Sequence, residues 1–450
     1  MPTNPPSPQS EHPSPEATTA KPRHHQGGFR DALTHPGVPS FTSAGALARL
    51  PVAMVALAIV LLVSETTGSY AYAGVMSAAF AVTAALASIV TSRWADRSGQ
   101  RVVLRVLAPG HGALLALFTL SVVEGSPRAL QIGLVVAAGA TSPAIGSYVR
   151  ARWSFLAERN EAPYLLRLGF AWESILDELI FTLGPLLTTA LAFNVGFPSP
   201  LIAAALAVVI GSVWLSMSTS TTPPTRPRDT EHASLFAVAR TRGLLILIGA
   251  ALGLGLLFGA LDVGAVAFTR DRGSGATAGV VLAAFAAASM VGGIAYGIRR
   301  WPGALHRHTQ MAALALAIVS AGLWFVDSNA GLIVVAAGAG LMVAPTLIGI
   351  FSLTQRVVKP ANLTEGLTWT NSGLAAGFAF GSGLSGVLVD NFGARAGLGL
   401  CVAGALASAV MLLAGSRSIN TPAPEEAGDV PSVVPAAWND DPLPGPHPGA

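Results

Sequence analysis

Between residues 44 and 415 the chain is a succession of long apolar runs divided by short polar breaks. The runs lack the strict period-two alternation of a half-buried strand, and they approach or exceed the roughly 18–20 residues that cross a bilayer as helix. The pattern predicts twelve spans, at 44–64, 69–91, 102–123, 129–149, 165–193, 198–218, 243–268, 276–298, 309–326, 330–352, 366–389 and 394–415. The longest polar break, TSTTPPTRPRDTEHAS, follows the sixth span and divides the chain into six plus six. The predicted organisation is a tail at 1–43, a six-helix bundle at 44–218, a linker at 219–242, a second bundle at 243–416 and a tail at 417–450. Both tails are polar and rich in proline, so they cannot bury enough apolar surface to order themselves. No apolar core follows a short basic start, so the first tail is not read as a signal peptide.

Basic residues fix the expected orientation. Of the 26 lysines and arginines, 22 fall on one set of connections and tails, and Arg128, Arg270, Arg272 and Arg395 fall on the other. Basic loops stay in the cytoplasm. Both termini and the central linker are therefore expected there, in a multi-pass protein of the cytoplasmic membrane.

Composition supports the class. The chain of 450 residues is 52% hydrophobic and 11% charged, against about a quarter charged in soluble domains. Its 49 glycines suit helices that pack backbone to backbone in lipid. One cysteine, Cys401, allows neither a disulfide framework nor a cysteine metal site within one chain. Net charge is only +3, which gives no reason to expect nucleic acid. Walker A, H-E-x-x-H and G-x-S-x-G motifs are absent from the sequence. No enzyme, cofactor or metal centre is expected, and a monomer is the expected state.

The halves resemble each other. Span four carries GATSPAIG and ends in YVRARW; span ten carries GLMVAPTLIG and ends in LTQRV. Span five opens with FAWES and span eleven with LTWTN, at a similar offset of about 200 residues. Internal repeats of this kind mark secondary transporters, whose substrate site lies near the midplane between the halves.

The loop between spans two and three reads SRWADRSGQR. It resembles the major facilitator superfamily signature Gly-x-Leu-Ala-Asp-Arg-x-Gly-Arg-Arg/Lys. Ala95, Asp96, Arg97, Gly99 and Arg101 match; Ser92, Trp94 and Gln100 depart from it. The resemblance implies an all-α membrane protein of twelve helices in two pseudo-symmetric six-helix bundles. It also implies that Asp96, Arg97, Gly99 and Arg101 latch the cytoplasmic ends of the halves in the outward-facing state. Gly184-Pro185 in span five resembles the antiporter motif Gly-x-x-x-Gly-Pro-x-x-Gly-Gly of drug/proton exporters. Ile180, Thr188 and Thr189 replace its other glycines. Arg128 and Gln131 are a partial match to a second antiporter signal in span four. The whole pattern looks like an actinobacterial branch of the family.

The acids within the spans are the candidate chemistry. Glu173 and Asp177 are four apart and share a helix face, while Glu178 lies about 100° round the helix. An ionised carboxylate at a span centre costs at least roughly 2.5–3.5 kcal/mol. Such an acid faces a cavity, takes a proton or is paired. Arg167, Arg150 and Arg152 are the candidate partners. Glu173 is expected near the rim, as a cavity or ion-pair group. Asp177, Glu178 and Asp262 are the proton-coupling candidates, with Arg270 or Arg272 as an alternative partner for Asp262. Glu65 reads as interfacial. Trp369 and Asn371 are candidate cavity groups in span eleven, or helix-packing residues. Gly373, Gly377, Gly381 and Ser385 form a small-residue ribbon there. GSGLSG in that span is no dinucleotide site, because no βαβ unit surrounds it.

The expected function is secondary transport of a small organic molecule, with proton-coupled efflux first and uptake of a sugar or metabolite second. A degenerate transporter serving as a membrane sensor or scaffold is the alternative from another class. Acids lining the space between the halves favour coupling. Acids held by arginines inside one half favour a structural network.

Overall fold

A computed structural model describes residues 29–225, 241–299, 303–359 and 363–419. Among these residues all regular structure is helical. The first half contains α1 (Phe29–Thr34), α2 (Val38–Thr67), α3 (Tyr70–Ser98), α4 (Gln100–Val123), α5 (Arg128–Ala140), α6 (Ile145–Arg159), α7 (Pro163–Asn194) and α8 (Ser199–Met217). The second contains α9 (Arg242–Asp271), α10 (Thr277–Ile298), α11 (Leu305–Ala321), α12 (Asn329–Val357), α13 (Leu363–Phe392), α14 (Ala394–Ala414) and α15 (Ser416–Ile419). Eleven helical segments are long and apolar enough to cross a bilayer, counting α5 and α6 as one passage. At the ninth predicted span, α11 has 17 residues and runs into a 3-10 turn at Gly322–Trp324.

Two regions differ from the sequence pattern. Residues assigned to a disordered tail form α1 and the start of α2, where Val38 and Phe41 are fully buried. The remaining tail residues, 1–28 and 420–450, lie outside the described residues, as does most of the linker at 226–240. Span four is not one helix. It breaks at residues 141–144, around Ser142-Pro143, whereas its counterpart α12 keeps Pro345 inside a continuous helix. Proline lacks an N–H and clashes with the preceding turn, so either outcome is open to a mid-span proline. Here the chain breaks, and His111 of α4 sits beside the end of α5. Its Nδ1 lies 2.7 Å from the carbonyl oxygen of Ala138, in the last turn of α5.

Within each half the helices pack closely, α2 on α8 and α7 in the first, α9 on α13 and α14 in the second. The small-residue ribbon behaves as its spacing predicts. Gly373, Gly377 and Gly381 of α13 lie against Ile248, Leu252 and Leu256 of α9. Between the halves the main seams are α3 with α13 and α7 with α10. Described hydrogen bonds across these seams gather at one end, where α3 begins and α13 finishes. Ser382 Oγ donates to the Gly74 carbonyl, and Asp390 accepts from Ser69, Tyr70 and Ala71. Leu57, Val60 and Leu61 of α2 and Ala192 of α7 join the apolar core of the second half at the same end. An ion pair between Glu65 and Arg270 also crosses there.

The opposite end carries most of the arginines. Along α3, Ala73, Gly74, Met76 and Ser77 are buried at the sealed end; towards the basic end only Ala87, Thr91 and Ala95 are. Among the described residues the halves are thus joined at the far end, and α3 is less buried towards the basic end.

Candidate functional site

One cluster sits inside the first half, where α2, α6 and α7 meet. Arg49 of α2 is 4% exposed, and Glu173 is fully buried. The Arg49 guanidinium donates to Glu173 and, at 2.7 Å, to Asp177. Arg150 of α6 donates to the second Asp177 oxygen, also at 2.7 Å. Trp153 Nε1 donates to Glu173 at 2.9 Å. Two arginines therefore face two carboxylates, and each carboxylate oxygen has a donor. Arg150 was among the expected partners. Arg49 was not, and Arg167 is exposed on the surface.

Arg152 was also expected to pair with the acids, but it turns elsewhere. Fully buried, it donates to Gln100 Oε1 at 3.0 Å and to the Leu215 and Ser218 carbonyls at 3.0 and 2.7 Å. Gln100 in turn donates to the Tyr148 carbonyl at 3.1 Å. Gln100, one of the three departures from the family signature, thus ties the start of α4 to α6 and, through Arg152, to α8. Asp96, Arg97 and Arg101 of that loop are exposed, and Gly99 turns the chain with φ +84°, which favours glycine.

Glu178 behaves differently from its neighbour. Asp177 precedes Gly184 by seven residues, two helical turns, and both lie on the face of α7 that meets α2: Asp177 at Arg49, Gly184 at Ala53. Glu178 precedes Pro185 by the same seven residues. That face meets α10 of the other half, where Pro185 and Thr189 close on Gly279. Glu178 is half-buried on the inter-half side of α7, and among the described residues it has no ion-pair partner. The Gly-Pro pair thus serves both packings: Gly184 admits α2, and the Pro185 carbonyl approaches Gly279 of α10.

Asp262 is the corresponding acid of the second half. α9 meets α14 through Gly253 and Gly264, α13 through Gly255 and Gly259, and α10 through the Phe258–Phe285 ring pair. Asp262 follows Phe258 by four residues and Gly255 by seven. Helical periodicity puts it between those contacts and away from α14, on the side of α9 turned to the molecular centre. It is half-buried although Leu261, Val263, Ala265 and Val266 around it are at most 2% exposed. No described residue forms an ion pair with it. Arg270 pairs instead with Glu65, which is exposed near the end of α2. Arg272 stacks on Phe268.

The other candidates are scattered. Trp369 is half-buried and Asn371 exposed near the start of α13. Arg128 stacks on Tyr72, while Gln131 accepts from Tyr72 Oη and donates to the Ser121 and Ser126 carbonyls. These bonds tie α3, α4 and α5 together at the far end. His111 and Arg49 were missed by sequence reasoning. Nothing near them in the sequence signals a partner, although an arginine five residues into an apolar span was itself a sign of a buried pair.

Residues 41–328 match the Major Facilitator Superfamily, and the chain belongs to that family. No curated protein matches the sequence. Among solved structures the chain is similar to the nucleoside transporter NupG, at 12% identity and TM-score 0.64 over 85% of this chain and 99% of that one. It is similar to an auto-inhibited POT family peptide transporter, at 13% identity and TM-score 0.65 over 88% and 99%. The human organic anion transporter MFSD10 aligns at 18% identity and TM-score 0.55 over 84% and 99%. These likenesses are of fold. Family and fold together define a multi-pass membrane transporter.

Proposed function

We propose that the protein moves a small organic molecule across the cytoplasmic membrane by alternating access, driven by protons and in the direction of efflux. The basic end is cytoplasmic in this reading, α11 is the ninth of twelve crossings, and the structure is the inward-open state. The observation that carries the reading is the placement of Glu178 and Asp262. Each lies on the inter-half side of its helix with no cation partner among the described residues, where an ionised carboxylate is costly. A group in that position is stabilised by taking a proton or a ligand, and it changes surroundings when the halves rock. Asp177 and Glu173 are held by arginines within one half and act as its internal brace. Exposure of Asp96, Arg97 and Arg101 fits a cytoplasmic latch that is disengaged in this state. The Gly184-Pro185 remnant favours efflux over uptake.

The test is proton movement in pyranine-loaded proteoliposomes under an imposed pH gradient, screened against pools of small organic molecules. Substrate-triggered proton flux is expected in the parent and is lost in Glu178→Gln or Asp262→Asn. Undiminished gradient-driven transport in both variants overturns the coupling assignment. Absence of flux or binding with every pool favours a sensor or scaffold.

A further inference from the structure

We infer that Asp390 is the far-end lock of the transport cycle: carried by one half, its carboxylate caps the first turn of α3 in the other, and its release opens that end. The inference rests on the alternating-access reading above.

The first N–H groups of a helix have no partner within it. In the first turn of α3, Ser69 supplies one: its Oγ accepts from Tyr72 N at 3.1 Å. The partners of Tyr70 and Ala71 belong to the opposite half. Tyr70 N donates to Asp390 Oδ1 and Ala71 N to Oδ2, both at 2.8 Å. Ser69 Oγ donates to Oδ2 at 2.8 Å as well. A carboxylate at a helix N-terminus is also favoured by the helix dipole.

The backbones must come close for this cap to form. Gly386 lies one turn before Asp390, against the Tyr70 carbonyl and Ala71 Cα; Gly74 lies against the Ser382 carbonyl and Gly383 Cα. A side chain at either glycine would displace the neighbouring backbone. The lock is nonetheless releasable. Asp390 is exposed, so water can replace its partners when the halves part. The Arg49–Glu173 pair, being buried, has no such exchange available. One helix, α3, therefore has the capped turn at its start and the exposed Asp96 in its last turn, so that tilting it moves both.

The experiment follows two reporter cysteines in purified protein in nanodiscs, labelled with a water-soluble maleimide. Ser77→Cys lies one turn along α3 from Gly74 and is fully buried at the sealed end. Asn371→Cys is exposed at the basic end, eleven residues before Ser382 and so on the same face of α13. The parent, whose Cys401 is buried, supplies the background. Asp390→Asn is expected to speed labelling of Ser77→Cys by roughly two- to thirty-fold, the range a helix-terminal charge contributes, with Asn371→Cys unchanged or slower. Ser69→Ala is expected to act in the same direction by a smaller factor, and it stands in if Asp390→Asn does not fold. Unchanged or slower labelling at Ser77→Cys overturns the lock, as does faster labelling at both positions, which signals general loosening. Glu65→Gln separates the two readings. If it exposes Ser77→Cys and Asp390→Asn does not, only the lock fails. If Ser77→Cys stays unreactive in the parent and in every variant, alternating access fails with it.

Discussion

The two halves treat their intramembrane acids in opposite ways. In the first, Glu173 and Asp177 are tied to Arg49, Arg150 and Trp153. In the second, Asp262 stands on α9 among apolar neighbours with no ion pair from any described residue. Glu178 belongs to the first half by sequence but resembles Asp262 by position. The difference teaches that a carboxylate in a membrane helix is not one kind of feature. Enclosed with arginines it braces a bundle; left alone on an inter-half face it is available to a proton or a ligand.

Removing a brace has the largest expected effect. Arg49→Ala leaves Glu173 charged, buried and unpaired, which costs about 3–5 kcal/mol. Thermal unfolding of the purified protein should show a marked fall, and little folded protein should be recovered. A stable Arg49→Ala protein would break the comparison. Asp262→Asn is expected to leave thermal stability unchanged and to lower pH-gradient-driven transport by at least roughly tenfold, about 1.4 kcal/mol in the driven step. Loss of folding in that variant would move Asp262 into the structural class. Trp153→Phe keeps the ring and deletes the donor to Glu173. A loss of about 1–2 kcal/mol in unfolding measurements is expected, because the acceptor is a buried carboxylate. Asp177→Asn should be the mildest. Its side chain is 30% exposed, so water can screen Arg150 and the loss should be about 1 kcal/mol or less. Gradient-driven transport should survive in that variant, and its abolition would return Asp177 to the coupling group.

Much of the architecture was legible because it depends on local properties. Span positions follow from hydropathy and length, and the ribbon of Gly373, Gly377 and Gly381 follows from four-residue spacing. The break in span four was not legible. A mid-span proline permits a kink or a break, and the contact of His111 with Ala138, 27 residues on, is visible only in the fold. The start of α2 was placed late because its first residues, including Pro39, Ser40 and Thr42, read as tail. Tertiary contacts bury Val38 and Phe41 there.

The sequence by itself determined that this chain crosses a membrane many times and that costly acids lie in spans five and seven. Both rest on residue type and period. Only the tertiary structure decided what each acid does. Arg49 reaches Glu173 across 124 residues, a distance over which sequence carries no pairing information. Asp177 and Glu178 are adjacent in the chain, yet one turn angle of about 100° sends one into its own half and the other towards the opposite one. Asp390, polar at the end of an apolar span, was likewise unremarkable until folding set it on the first turn of α3.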